Sequence, residues 1–465
     1  MEPFLNRFFP SVLKNMGNAE QNEYCTFDTQ ILTLFTSSLY IAGLVSSLIA
    51  GHVASAIWRR GTLIAGGIIF LIGSALGASA VNVEMLIFGR LLLGFGIGFT
   101  NQSAPIYLSE MAPPKWRGAL NSGFQLFLGL GSVVANVINF AVDQLGDSGW
   151  RISLGSAAVP AIIMTVGSIF IPDTPSSLIQ RDKIQKARQS LTQVRGNESD
   201  IESKLNELIS HNEARKAANS QPFKTIVERQ YRPQLILTIA IPAFQQLTGI
   251  NIISFYAPVL FRSIGFGLDG SLVASVILGV LNLAAALVPT FFVDRLGRRI
   301  LFIEAGIQIF MSEVAMAMIF AVELGTKGTA QLSKGSAIAI LVLLASLGCA
   351  FGWSWGPLTW LVPGEILPME VRPAGQGICT SMNLLITFFI SQTLLRMLCT
   401  MKYGLFLFFA SWVIVMTEFV ALFLPETKGR HLESMDEVWQ NHWFWHWYAK
   451  KPVMMQELDS VEGRC

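Results

Sequence analysis

The chain has 465 residues, a net charge of +2, 52% hydrophobic residues and only 14% charged ones, against about 25% charge in soluble domains. That balance excludes an ordinary soluble globule and gives no basis for nucleic-acid binding. Apolar runs near 20 residues, long enough to cross a hydrocarbon core, recur along almost the whole length. They are too long, and alternate too little with polar residues, to be the strands of a membrane β-barrel, so an all-α membrane protein is predicted.

Residues 1–29 are predicted to hold no span, because Asn6, Arg7, Lys14, Asn15, Glu20 and Glu23 interrupt every apolar window. No basic segment leads into an apolar core there, as a signal peptide would require. Five spans follow at 30–54, 62–81, 85–107, 118–141 and 152–171, and together they make a first bundle, 30–171. The polar stretch 172–233 links the halves. Its mixed-charge segment from Ile184 to Leu208 reads equally as amphipathic helices latching the inner face or as a solvated linker. Six spans at 234–260, 271–293, 300–323, 336–362, 373–398 and 403–424 make a second bundle, 234–424. The tail, 425–465, carries an aromatic run from Trp439 to Tyr448, expected either at the headgroups or packed against the protein.

A three-part signature appears once in each bundle. The second copy reads Asp294-Arg295-Leu296-Gly297-Arg298-Arg299, then Glu365 with Pro368 and Arg372, then Pro425-Glu426-Thr427. The first reads Trp58-Arg59-Arg60, then Glu110 with Pro113 and Arg117, then Pro172-Asp173-Thr174. Identical spacing of acid, proline and arginine at long range implies two structurally equivalent halves. One span precedes the basic turn of the first copy and two precede that of the second, so a first helix is expected to be missing and eleven spans to remain. The basic residues of these turns, the linker and the tail fall on one side by strict alternation, which makes that side cytoplasmic. Acid and base where helices meet this side suggest a lock on one state of a moving bundle, built from Glu110, Arg117, Asp294, Arg295, Arg298, Arg299, Glu365 and Arg372. Simple positive-inside anchoring is the alternative.

Polar side chains at mid-membrane depth are costly and point to a substrate path. The densest set is Gln245-Gln246-Leu247-Thr248-Gly249-Ile250-Asn251; Gln125, Asn282, Trp360 and Asn383 lie at similar depth in other spans. Amides donate and accept, as hydroxyls do, and a Trp face suits the C–H side of a pyranose. With no strong charge among them, these residues favour a neutral sugar or polyol over an ion, nucleotide or acid. Single amides also serve helix–helix packing. Arg90 needs a counter-charge that no first-half span clearly provides. Glu304, Glu313 and Glu418 lie within spans; Glu313 and Glu418 sit on spans expected to be peripheral and are read as structural or tolerated. Cys25 and Cys399 fall on the same outer side, where a disulfide and two free thiols are both open. No catalytic or metal-ligating constellation of His, Cys and carboxylates appears, so neither an enzyme nor a cofactor is expected.

These residues carry a resemblance. Gly89-Arg90-Leu91-Leu92-Leu93-Gly94, Tyr107-Leu108-Ser109-Glu110-Met111-Ala112-Pro113, the Gln245–Asn251 run, Phe255-Tyr256-Ala257-Pro258, Val362-Pro363-Gly364-Glu365 and Pro425-Glu426-Thr427-Lys428-Gly429 are similar to the sugar porter family of the major facilitator superfamily, most of all its plant monosaccharide/proton symporters. The resemblance implies two pseudo-symmetric six-helix bundles, here with the first helix missing, and hexose transport by alternating access in a multi-pass protein of the plasma membrane. It implies sugar contacts at Gln125, Gln245, Gln246, Asn251, Asn282, Trp360 and Asn383, and protons as co-substrate. It also implies a disulfide from Cys25, in an extracellular lid at 1–29, to Cys399. It assigns proton coupling to Arg90, as the partner of an aspartate on the first helix, a residue this sequence lacks, so coupling is in doubt. An uncoupled facilitator or a non-transporting sugar receptor is the alternative.

Overall fold

A computed structural model describes residues 2–10, 30–56, 58–111, 117–143, 145–195, 201–202, 205–206, 208–210, 212–213, 222–251, 268–323, 333–368, 370–428 and 435–449. Helices account for nearly all of it. The first half holds α1 (Glu2–Phe8), α2 (Gln30–Ala56), α3 (Trp58–Ala78), α4 (Val83–Met111), α5 (Arg117–Asp143), α6 (Gly149–Ser156) and α7 (Ala158–Phe170). The linker contributes α8 (Pro175–Gln180), α9 (Ile184–Arg195) and α10 (Pro222–Thr225). The second half holds α11 (Arg232–Gln246), α12 (Leu268–Ala285), α13 (Val288–Leu296), α14 (Arg298–Glu323), α15 (Lys334–Ala350), α16 (Gly356–Ile366), α17 (Arg372–Met401) and α18 (Gly404–Phe423). Two short helices, α19 (Met435–Asn441) and α20 (His446–Ala449), end the described chain. Among the described residues, nine helical segments are long and apolar enough to cross a membrane.

Local chemistry sets the helix starts. Thr174 caps α8, its hydroxyl accepting from the Ser177 N–H at 3.3 Å, and Pro175 follows where the missing donor does no harm. Ser333 caps α15 in the same way, accepting from the Ser336 N–H. Within the halves, small residues let backbones approach: a Cβ on Gly94 of α4 would run into the Leu39 carbonyl of α2.

The main core lies in the second half, around Phe302, Ile309, Phe320, Trp355 and Phe409. A smaller aromatic cluster joins Phe4, Phe8 and Phe9 to Phe35, Leu86 and Trp150, and so packs α1 against the ends of α2, α4 and α6. Linker helices share their own core of Leu178, Ile179, Leu191, Leu205 and Leu208. The aromatic tail divides. Trp439 and Trp445 are 1% exposed, while Trp443 and Trp447 are 61% and 65% exposed. The indole N–H groups of Trp443 and Trp445 donate to the Leu422 and Phe423 carbonyls at 2.9 and 2.7 Å. They satisfy the last turn of α18, whose carbonyls have no helical partner.

Candidate functional site: an amide cluster on a broken helix

α11 ends at Gln246. Leu247, Thr248 and Gly249 leave helical geometry, Gly249 at φ +74°, and helix resumes at Ile250. Only glycine adopts that φ without strain. The break places Gln245, Gln246 and Asn251 side by side. Gln246 Oε1 accepts from Asn251 Nδ2 at 2.9 Å, and Gln246 Nε2 donates to Gln245 Oε1 at 3.5 Å.

A second irregularity faces the first. Between α15 and α16 the chain makes a π-helical turn, Phe351–Trp355, and Pro357 follows. Such turns disturb the backbone ladder and are frequent at functional sites. Gln245 Nε2 donates to the carbonyls of Trp355 and Gly356, both at 3.2 Å, and Gln245 Oε1 accepts from Asn383 Nδ2 of α17 at 2.6 Å. One buried side chain thus ties three helices together.

The remaining predicted contacts approach the same turn. Gln125 of α5 is buried, with its Nε2 3.0 Å from where a Cβ on Gly356 would stand. Asn282 of α12 has Oδ1 2.7 Å from the equivalent point on Gly352. Trp360 of α16 meets Phe124 of α5 edge to face, with ring centroids 5.5 Å apart. The structure therefore sets Gln125, Gln245 and Asn282 against this turn or the residue after it, with contributions from both halves; Asn383 and Gln246 bond to Gln245, Asn251 bonds to Gln246, and Trp360 follows on α16 beside Phe124. The π turn itself and Phe124 were not singled out from sequence. Gly352, Gly356 and Pro357 in one short stretch were the available signal for the turn.

The duplicated signature closes into two related clusters at the basic end. In the second half Arg298 grips Glu365 with two hydrogen bonds, Nη2 to Oε1 at 2.7 Å and Nε to Oε2 at 3.2 Å. In the first half Arg59 Nη2 reaches Glu110 Oε1 at 3.2 Å. Arg299 donates to the Ala421 carbonyl, and Arg60 Nε to the Ser168 carbonyl at 3.0 Å. Each acceptor lies four residues before the proline of its Pro-acid-Thr motif. The copies differ beyond this point. Thr427 Oγ1 donates to Glu365 Oε2 at 2.6 Å, and Glu426 accepts from the N–H groups of Arg298 and Arg299 at 3.0 and 3.1 Å. The first-half equivalents turn to the linker: Thr174 caps α8, and Asp173 pairs with Arg181 at 3.4 Å. Burial holds the Arg181 guanidinium below the ordinary arginine value, and Asp173 opposes that shift.

Arg372 donates to the Leu367 carbonyl, and the Arg295 carbonyl accepts from Lys428 Nζ at 2.6 Å. The side chains of Arg117 and Asp294 lie outside the described set. Arg59, Glu110, Ser176, Leu208, Glu370 and Arg372 line a cavity of about 80 Å³, so first half, linker and second half meet there. Arg90 is partly buried, with its guanidinium 4.4 Å from the Phe35 ring centroid. Cys399 is disulfide-bonded, and Cys25 lies outside the described residues. Among the described residues no group of His, Cys, Asp and Glu could hold a metal ion.

A membrane-embedded helical protein of two related halves, with polar amides gathered at broken helices between them, defines the class. The chain belongs to the family described as sugar (and other) transporter, whose model matches residues 4–439. It is 52% identical to Sugar transport protein 5 of Arabidopsis thaliana over 453 residues, 97% of this chain and 89% of that one. It is 52% identical to Sugar transport protein MST7 of Oryza sativa subsp. japonica, covering 96% of this chain and 87% of that protein. To Hexose carrier protein HEX6 of Ricinus communis it is 50% identical, covering 96% and 87%. Its fold is that of the proton:xylose symporter XylE, a major facilitator superfamily protein solved with 6-bromo-6-deoxy-D-glucose: TM-score 0.80, 22% identity, covering 94% of this chain and 93% of that one.

Proposed function

We propose that this chain carries a monosaccharide, specifically a hexose, across a membrane by alternating access of its two halves. The observation that carries the reading is the neutral amide cluster on the π turn. Gln125, Gln245, Gln246, Asn251, Asn282 and Asn383 offer donors and acceptors without a charge, and Trp360 with Phe124 offers aromatic surface to the C–H side of a ring. The names of the relatives support sugar, and one supports hexose. The chain is read as a transporter and not an enzyme, with sugar as its partner.

The Arg298–Glu365 and Arg59–Glu110 pairs are read as the lock that holds the basic, cytoplasmic end shut, with Arg117, Asp294, Arg295, Arg299 and Arg372 around them. Residues 30–171 are read as five spans and 234–424 as six, with 1–29 an extracellular lid, 172–233 the linker and 425–465 a cytoplasmic tail in a plasma-membrane protein. Cys25 is read as the partner of Cys399, whose bonded state supports it. Proton coupling is assigned to Arg90. Uncoupled facilitation is the second reading. It is favoured because Arg90 meets the Phe35 ring and, among the described residues, forms no ion pair.

Labelled-glucose uptake into yeast lacking its own hexose carriers, compared at acidic and neutral pH, tests both. Uptake that rises with the proton gradient and falls in Asn383→Ala is expected for a symporter. Uptake indifferent to the gradient selects facilitation, and a surface-expressed chain that neither moves nor binds sugar rejects the transport reading.

A further inference from the structure

Glu313 lies in the middle of α14, is 0% exposed, and has no hydrogen-bond partner on either oxygen among the described residues. The span expected to be peripheral instead turns this carboxyl into the core, toward the substrate helix. Its Oε1 stands 2.5 Å from where a Cβ on Gly249 would be, and Phe409 closes the other side of that glycine at 3.5 Å. Gly249 is the residue at which α11 breaks between Gln245-Gln246 and Asn251.

We propose that Glu313 is a second proton-binding site, behind the sugar amides, whose protonation is linked to the conformation of the Gln245–Asn251 break and so to sugar binding. The proposal rests on the sugar-transport reading. A carboxylate with neither oxygen bonded is strongly disfavoured in apolar surroundings, so the arrangement seen is that of the neutral acid. Ionisation needs donors, and the break can supply them. Leu247, Thr248 and Gly249 leave helical geometry there, and N–H groups of this loosened backbone can turn to a carboxylate, as a buried charge requires. Turning this segment toward Glu313 moves Gln245, Gln246 and Asn251 with it. Release of the proton from the carboxyl oxygen to solvent thereby remodels the sugar site.

Among the described residues of the elements packed on α14, no other charge sits at this depth to decide the titration. On α14 itself Glu304 and Glu323 are nine and ten residues away, about 14 Å along the axis. Glu418 of α18 is exposed and lies nine residues beyond Phe409. Lys402 and Tyr403 precede Phe406, which stacks on Phe320 toward the far end of α14. On α16, Glu365 is held by Arg298 at the basic end. Asp294 and Arg295 of α13 lie at that end too, immediately before α14 begins. α11 has no charged residue between Pro233 and Gln246, and α15 has none after Lys334.

The test uses the full chain in lipid nanodiscs, with infrared difference spectra taken on pH jumps and on adding glucose. Wild type should show the carbonyl band of a protonated carboxylic acid that is absent in Glu313→Gln, displaced in Glu313→Asp, and shifted by glucose. Apparent glucose affinity should change about fivefold between about pH 5 and about pH 8 in wild type and stay flat in Glu313→Gln. Acid bands identical in wild type and both variants overturn the proposal. So does a Glu313 band that glucose leaves unmoved in protein that binds glucose. Protein that binds no glucose overturns the sugar reading instead, while the pH-driven band still decides whether Glu313 carries a proton.

Discussion

Gln245 uses one amide to satisfy two backbone carbonyls and two side-chain donors. Replacing it with leucine keeps the bulk and removes these bonds; the Trp355 carbonyl keeps the Thr359 hydroxyl, and a loss of about 1–3 kcal/mol is expected for each buried group left bare. Gln245→Leu should therefore weaken sugar binding at least tenfold and lower thermal stability together, read as KM in uptake and as a melting shift in detergent. A lesion confined to KM would mean that Gln245 contacts sugar without holding the π turn. Part of this was legible in the sequence, because amides inside apolar runs stand out. That Gln245 spends its donor on a π turn 110 residues away was not, since nothing local encodes that contact. His442 carries a second prediction at this scale. Burial, with the Arg299 charge beside it, holds its imidazole below the ordinary histidine value, and neutral Nδ1 accepts from the N–H groups of Phe444 and Trp445 at 3.3 and 3.4 Å. A depressed value means that the folded tail favours the neutral ring. Its contribution is complete above about pH 6.5 and is lost as pH falls through the lower folded value. Acidification should release the tail, read as exposure of Trp445 to a fluorescence quencher, and His442→Phe should show no such step.

At the scale of elements, the start of α14 shows how the signature works. Glu426 sits on the first two N–H groups of the helix, where an anion is favoured, and Gly297 lets it approach. Gly297 has φ +92°, and a Cβ there would lie 2.6 Å from Glu426 Oε2. Gly297→Ala should cost about 1–3 kcal/mol through strain and displacement of the carboxylate. Gly335→Ala in the first turn of α15, where a Cβ meets only Ser333 Oγ at 3.9 Å, should be neutral or better. Thermal unfolding of the two variants checks the contrast; equal effects would remove Glu426 from the account. The duplicated motifs made the equivalence of the halves readable, and the structure matches Arg59 to Arg298 and Arg60 to Arg299. Which arginine holds each acid was not readable. Arg298 and Glu365 lie 67 residues apart on different helices, and spacing along one helix end says nothing about that crossing. The Asp173–Glu426 difference is one methylene in the sequence. In the fold it separates an acid turned to the linker from one that caps a helix.

Over the whole molecule the halves meet along two antiparallel seams. On one, α2 and α17 run in register: Gln392 Nε2 donates to Ser37 Oγ at 2.6 Å, a Cβ on Gly43 would meet Leu384 at 3.1 Å, and Ser47 Oγ lies 2.7 Å from Ser381 Oγ. Gln102 extends the contact with a 3.2 Å hydrogen bond to the Pro373 carbonyl. On the other, α5 and α12 bring Gly129 against Leu283 and Val133 against Gly279. Alternating access requires the contacts at one end of such seams to part while those at the other hold. The α2–α17 seam is built of short side chains and single hydrogen bonds, which separate at small cost to either half. Ser47 and Ser381 sit near its middle, close enough for a disulfide once both are cysteine. In a Cys379→Ala background, Ser47→Cys with Ser381→Cys should lose at least about tenfold of its hexose uptake on oxidation and regain it with a reductant. Each single cysteine should transport normally under both conditions. Full uptake by the cross-linked chain would mean that α2 and α17 stay together through the cycle. The opening motion would then lie at the α5–α12 seam, where Gly129 and Gly279 take the place of side chains.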